Sequence, residues 1–158
     1  MTSPWSEPEF VLSVFDRLCD NFPSEVSEDR PLRVGPRDVV KASVLKNIDW
    51  LLNSRRYIGA IPGNPHLDRS VLTYGLPDFS QLTMDTSDDR EELRSAIESA
   101  IRRFEPRLTH VIVSPPEFAE RGDLRFQIDA FLRLRPAPEF VSFDSVLLLS
   151  LRTFELRG

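Results

Sequence analysis

Hydrophobic positions along the chain change their period once, close to Pro106. Before it they recur at helical spacing, and after it they alternate. Val40, Val44, Ile48, Leu51 and Leu52 step by four, four, three and one, which predicts an amphipathic helix from about Arg37 to Arg55. Leu93, Ile97, Ala100, Ile101 and Phe104 predict a second long helix. Asp88 with Glu91 opens it, Arg102 and Arg103 sit in its last turn, and Pro106 stops it. Toward the N-terminus, Ser6 and Glu9 form a capping box ahead of Val11, Val14, Phe15 and Leu18, so a helix is expected from Ser6 to Cys19. Asn21 to Pro36 reads as a linker. Tyr57 to Pro65 reads as loop, and Leu67 to Tyr74 as a short helix closed by Gly75.

Thr109 to Ser114 predicts a short strand. From Leu124 to Arg135, Leu124, Phe126, Ile128, Ala130, Leu132 and Leu134 alternate with a polar set that only Phe131 interrupts. Val141 to Leu156 is also strand-like, but Phe154 and Leu156 fall out of phase with Val141 to Leu151, which requires a bulge or break near Ser150. The fold class is therefore α+β: amphipathic helices packed on a small antiparallel three-stranded meander at the C-terminal end. Residues 1–36 form an N-terminal helix and linker, and 37–158 form the main domain.

Composition narrows the possible functions. The 158 residues are 41% hydrophobic and 28% charged, enough for one real core. No apolar run approaches the roughly 20 residues that span a bilayer, and the first residues carry no secretory pattern, so a cytoplasmic protein without membrane insertion is expected. Cys19, the one cysteine, has no internal partner for a disulfide. The formal charge of −5 argues against nucleic acid as a partner. Only Lys41 and Lys46 are lysines; the other cations are arginines, which suit bidentate pairs at interfaces.

Catalytic signatures are absent: there is no phosphate-binding glycine loop, no nucleophile elbow and no paired cysteines. His66 and His110 lack local carboxylates at metal-ligand spacing, and neither a metal nor a cofactor is expected. Cys19 lacks a cationic setting. Glu105 is the unusual residue, an acid at a helix C-terminus where the dipole disfavours it. It is followed by Pro106 and Arg107 and preceded by two arginines. Two readings follow: an ordinary helix stop with Glu105 paired to a nearby arginine, or a rigid charged knuckle offered to a partner. As a glycosidase acid it is poorly placed, because such an acid needs an apolar pocket or a second carboxylate and its neighbours are arginines; Glu117, Glu120 and Asp123 are the acids in the nearest plausible loop to partner it.

At these residues the chain resembles a known family. The segments Ser43-Val-Leu-Lys-Asn-Ile-Asp-Trp-Leu-Leu-Asn-Ser-Arg-Arg56, Ser70-Val-Leu-Thr-Tyr-Gly-Leu-Pro-Asp-Phe79 and Ala100-Ile-Arg-Arg-Phe-Glu-Pro-Arg-Leu108 are similar, in this order, to those of TssE proteins. These are baseplate subunits of the bacterial type VI secretion system, related to the lysozyme-like wedge protein of contractile phage tails. Leu12 to Leu18, Phe126 to Ala130 and Val141 to Ser145 resemble the family's N-terminal helix and strands. The resemblance implies a non-enzymatic subunit beside TssF, TssG and TssK that joins the baseplate to the contractile sheath of TssB and TssC. It also implies a sheath contact at Glu105, Pro106 and Arg107. Strand exchange at the last strand, with Arg107 fixing register through a bidentate pair, is the expected mechanism, and Arg107→Glu is then expected to spare the fold. A wedge subunit of a phage-derived particle and a peptidoglycan hydrolase are the alternatives. The chain departs from the family beyond Asp144, where Val146-Leu-Leu-Leu-Ser-Leu151 replaces a more polar, turn-containing end.

Overall fold

The computed structural model describes residues 16, 36–57, 67, 70–119, 122–135 and 137–157. The expected first helix, apart from Asp16, and nearly all of the linker, His66 and Glu120 lie outside these residues. Helix α1 spans Pro36–Asn53, and its stripe of Val40, Val44, Ile48, Leu51 and Leu52 is buried. Proline at the first helical position leaves no bond unmade. Helix α2 spans Ser87–Phe104, capped by Thr86, whose hydroxyl accepts from the Asp89 amide. The cap therefore lies two residues before Asp88. Thr86, Ser87, Asp88 and Asp89 are all capping types, and the hydroxyl that reaches an open amide decides among them. Between the helices, the expected short helix is a 3-10 turn at Val71–Thr73.

Gly75 follows this turn with φ +100°, and a Cβ there would sit 2.5 Å from the Ser54 carbonyl oxygen. That close approach lets Arg55 bridge Leu76 in parallel and seats Leu76 in the core.

The rest of the described chain is one antiparallel sheet: β1 (Leu108–Val113), β2 (Glu117–Phe118), β3 (Leu124–Leu132), β4 (Glu139–Leu148) and β5 (Thr153–Arg157). The order is β1-β3-β4-β5, with β2 also paired to β3. The three expected strands are present as β1, β3 and β4, and the sheet grows by two. The phase break near Ser150 is a turn that makes β5 a strand of its own, pairing Leu147 with Phe154. Strand β2 is too short to show a period. The inward set of β3, Leu124, Phe126, Ile128, Ala130 and Leu132, is at most 2% exposed and joins both helices in one core. Alternation on β3 and β4 leaves the other sheet face outward.

Candidate functional site

The α2–β1 corner is built by its own sequence. Glu105 ends α2, its amide bonding the Ile101 carbonyl at 2.9 Å, and Pro106 forbids continuation. The chain turns at once, the Leu108 amide bonding the Glu105 carbonyl at 3.1 Å. This turn points the Glu105 side chain inward, where it is 3% exposed. Arg107 grips its carboxylate with both arms of the guanidinium, Nε to Oε1 at 2.7 Å and Nη2 to Oε2 at 2.6 Å. Arg107 Nη1 also donates to Ser43 Oγ on α1 at 2.8 Å, and the Ser43 hydroxyl donates to Asp16. Asn47 of α1 reaches Glu105 Oε2 at 3.5 Å, and the Arg133 amide bonds the Arg107 carbonyl at 2.8 Å. The corner thus ties α1, α2, β1 and the end of β3 together. Burial, and secondarily the Glu105 carboxylate, raise the nearby Tyr74 phenol above its ordinary pKa.

The bidentate pair expected of Arg107 is therefore made inside the chain, with Glu105. Of the three motif residues only Pro106 is exposed. A buried carboxylate needs a counter-charge and hydrogen bonds, and Arg107 is the one cation whose spacing lets it fold back after the proline. Glu105 and Glu117 precede and follow the six residues of β1, a strand about 20 Å long. That exceeds the roughly 5–9.5 Å between glycosidase carboxylates. The Asp123 carboxylate accepts from the Leu149 amide. Among the described residues no three His, Cys, Asp or Glu side chains come together as metal ligands.

The two sheet edges differ. On β1, side chains of α2 bond backbone groups of Val111 and Val113: Arg102 Nη2 donates to the Val111 carbonyl at 2.8 Å, Arg94 Nη1 to the Val113 carbonyl at 3.1 Å, and Glu98 accepts from the Val113 amide at 3.3 Å. On β5, Asn53 at the end of α1 mimics a neighbouring strand. Its amide donates to the Phe154 carbonyl at 3.0 Å and accepts from the Phe154 amide at 2.9 Å. Antiparallel pairing alternates inward and outward groups, so the amide and carbonyl of Leu156 also face away from β4, and no described residue bonds them. Beside this stretch runs a groove of about 510 Å³ between α1 and β5, lined by Ala42, Leu45, Lys46 and Asp49 of α1 and by Phe154 to Arg157 of β5. Arg55 fixes the turn into β5 by donating to the Arg152 carbonyl at 2.8 Å. Sequence reasoning missed Asn53 and Leu156, because a contact 101 residues apart leaves no local signal.

What these features define is an α+β domain whose two sheet edges differ: side chains of α2 bond Val111 and Val113 on β1, and Leu156 on β5 is bonded by no described residue. The chain belongs to the family of baseplate wedge protein gp25, whose model matches residues 38–137; this is the wedge family that the sequence resembled. A chain of one solved structure, "The baseplate complex from the type VI secretion system", is similar at 18% identity and a TM-score of 0.49, over 72% of this chain and 98% of that one. No curated protein matches. No helix among the described residues is long and apolar enough to cross a membrane.

Proposed function

We propose that this chain is a TssE-type, non-enzymatic subunit of a type VI secretion baseplate wedge, working in the cytoplasm. In this reading it joins TssF, TssG and TssK to the sheath proteins TssB and TssC. The observation that carries the sheath side is the asymmetry of the sheet edges. Strand β5 offers the Leu156 backbone beside a groove lined in part by Ala42 and Leu45, whereas α2 side chains bond Val111 and Val113 of β1. A sheath strand added at β5 gains main-chain hydrogen bonds and lays alternate side chains on Ala42 and Leu45. Glu105, Pro106 and Arg107 serve this contact by fixing the sheet against α1, with Pro106 as their exposed member.

Leu156→Pro tests the reading. It removes one outward donor at an edge that tolerates proline, so the fold should persist while co-purification with TssB and TssC is lost. Unchanged capture of the sheath proteins by this variant would overturn the strand-edge reading. Hydrolysis of purified cell wall by the wild-type chain, lost in Glu105→Gln, would overturn the non-enzymatic one.

A further inference from the structure

Residues 1–36 are expected from the sequence to form a helix and a linker, joined to the body as a tether. Asp16, the described residue of that stretch ahead of Pro36, meets the body beside the Glu-Pro-Arg corner. Its carboxylate accepts from the hydroxyl of Ser43, 27 residues further along the chain, and stands 3.8 Å from the Lys46 ammonium. Ser43 and Lys46 are three residues apart on α1, so both bonds hold one face of that helix. The Asp16 side chain is 18% exposed there and that of Lys46 47%, while Ser43 is buried.

The Ser43 hydroxyl has one proton to give and two lone pairs. A guanidinium only donates, and Arg107 Nη1 donates to Ser43 Oγ at 2.8 Å, which leaves the Ser43 proton to be placed elsewhere. A serine within a helix commonly returns it to the carbonyl one turn back; here it goes to Asp16. The groups form an unbroken row: the Glu105 carboxylate, the Arg107 guanidinium, the Ser43 hydroxyl, the Asp16 carboxylate and the Lys46 ammonium. Charge alternates along it, with the hydroxyl joining two acid–base pairs. Hydrogen bonds in such a row polarise one another. Asp16 draws the Ser43 proton toward itself and so makes the oxygen a better acceptor for Arg107, the residue that neutralises buried Glu105.

We propose that Asp16 is a latch. It straps the N-terminal segment onto α1 and positions the Ser43 oxygen for Arg107, so the corner is held more tightly with the segment in place than with it released. The two halves of the latch differ in strength. The Ser43 half is shielded from water, whereas the Lys46 pair is long and half exposed and contributes little. The latch is internal to the chain and independent of which partner meets β5.

The test uses the full chain and two readouts. Trypsin cleavage after Arg17, the residue next to Asp16, reports the population of released segment. Ser43→Ala leaves the sequence at the cut site unchanged and should raise that rate about tenfold, and Lys46→Ala only about twofold. Ile128→Val, which weakens the core of β3 without touching the latch, should leave it unchanged. The second readout is the Arg107 Nε–H signal in NMR. Asp16→Ala should move it and speed its exchange with water about tenfold, whereas the same substitution in a Ser43→Ala background should have no further effect, because the row is already cut. An unchanged rate after Arg17 in Ser43→Ala overturns the latch. So does equal acceleration by Ile128→Val, since the segment would then leave only with the whole fold. An Arg107 signal that ignores Asp16→Ala, or that responds equally without the Ser43 hydroxyl, overturns the positioning role.

Discussion

Arg107→Ala removes the two short hydrogen bonds, at 2.7 and 2.6 Å, that neutralise Glu105. The carboxylate then keeps only the Arg107 backbone amide at 3.3 Å and Asn47 at 3.5 Å, in a side chain that is 3% exposed. Breaking a buried pair by deleting one partner costs about 3–5 kcal/mol, a large share of the roughly 5–15 kcal/mol that holds a domain folded. For a chain of this size the loss corresponds to a Tm lower by about 6–20 °C. Arg107→Glu should unfold the protein, because it sets a second carboxylate beside the first; the tolerance expected of a surface contact is corrected by this burial. Replacing both residues by leucine should recover most of the single-variant loss, since two apolar side chains leave no charge unpaired. Urea and thermal unfolding at neutral pH, followed by circular dichroism, read these values. A loss under about 1 kcal/mol for Arg107→Ala would mean that Glu105 has another adequate partner and does not depend on Arg107.

Three further outcomes are expected. Ser145→Ala should raise stability by about 1 kcal/mol in urea, because the Ser145 hydroxyl is buried with no hydrogen-bond partner among the described residues; a comparable loss would reveal a partner. Ile128→Asp, at a position 0% exposed in the centre of β3, should abolish cooperative folding, and a soluble variant with native circular dichroism would contradict the burial of that face. The third outcome concerns acid. Asp78, Asp89 and Glu91 are held below the ordinary carboxylate range, chiefly by the Ser80 amide, the Thr83 hydroxyl and Arg94 respectively. The folded chain therefore binds fewer protons than the unfolded one. This contribution is present above the unfolded pKa values near 4 and is lost as pH falls through the lower folded ones. Thr83→Val should move the Asp89 titration, followed by NMR, back up toward its ordinary value; an unmoved titration would assign the shift to another group.

Much of the fold was legible because burial imposes a period. The stripe of α1 and the alternation of β3 follow from residues such as Ile48 and Phe126, which are 0% exposed, and the parity switch beyond Ser150 announced the turn into β5. What escaped the sequence depends on pairing rather than period. Strand β2 has two residues and exists through its register with Arg125 and Leu124. Glu105 had Arg102, Arg103 and Arg107 as neighbours in sequence. The turn after Pro106 brings Arg107 back to it, whereas Arg102 reaches across to the Val111 carbonyl. A bulge at His110 shifts the phase of β1 by one residue, so a period-two reading of that strand turns the ring the wrong way. The motif itself was visible, but its inward direction was not.

Hydrogen exchange at single amides reads directly whether β5 receives a sheath strand, as proposed. The Leu156 amide faces away from β4, while that of Glu155 lies opposite Val146 in the ladder. In the complex with TssB and TssC, new protection is expected at Leu156 and little change at Glu155. Unchanged exchange at Leu156 in a complex that forms normally would contradict it, and would move the sheath contact to another surface.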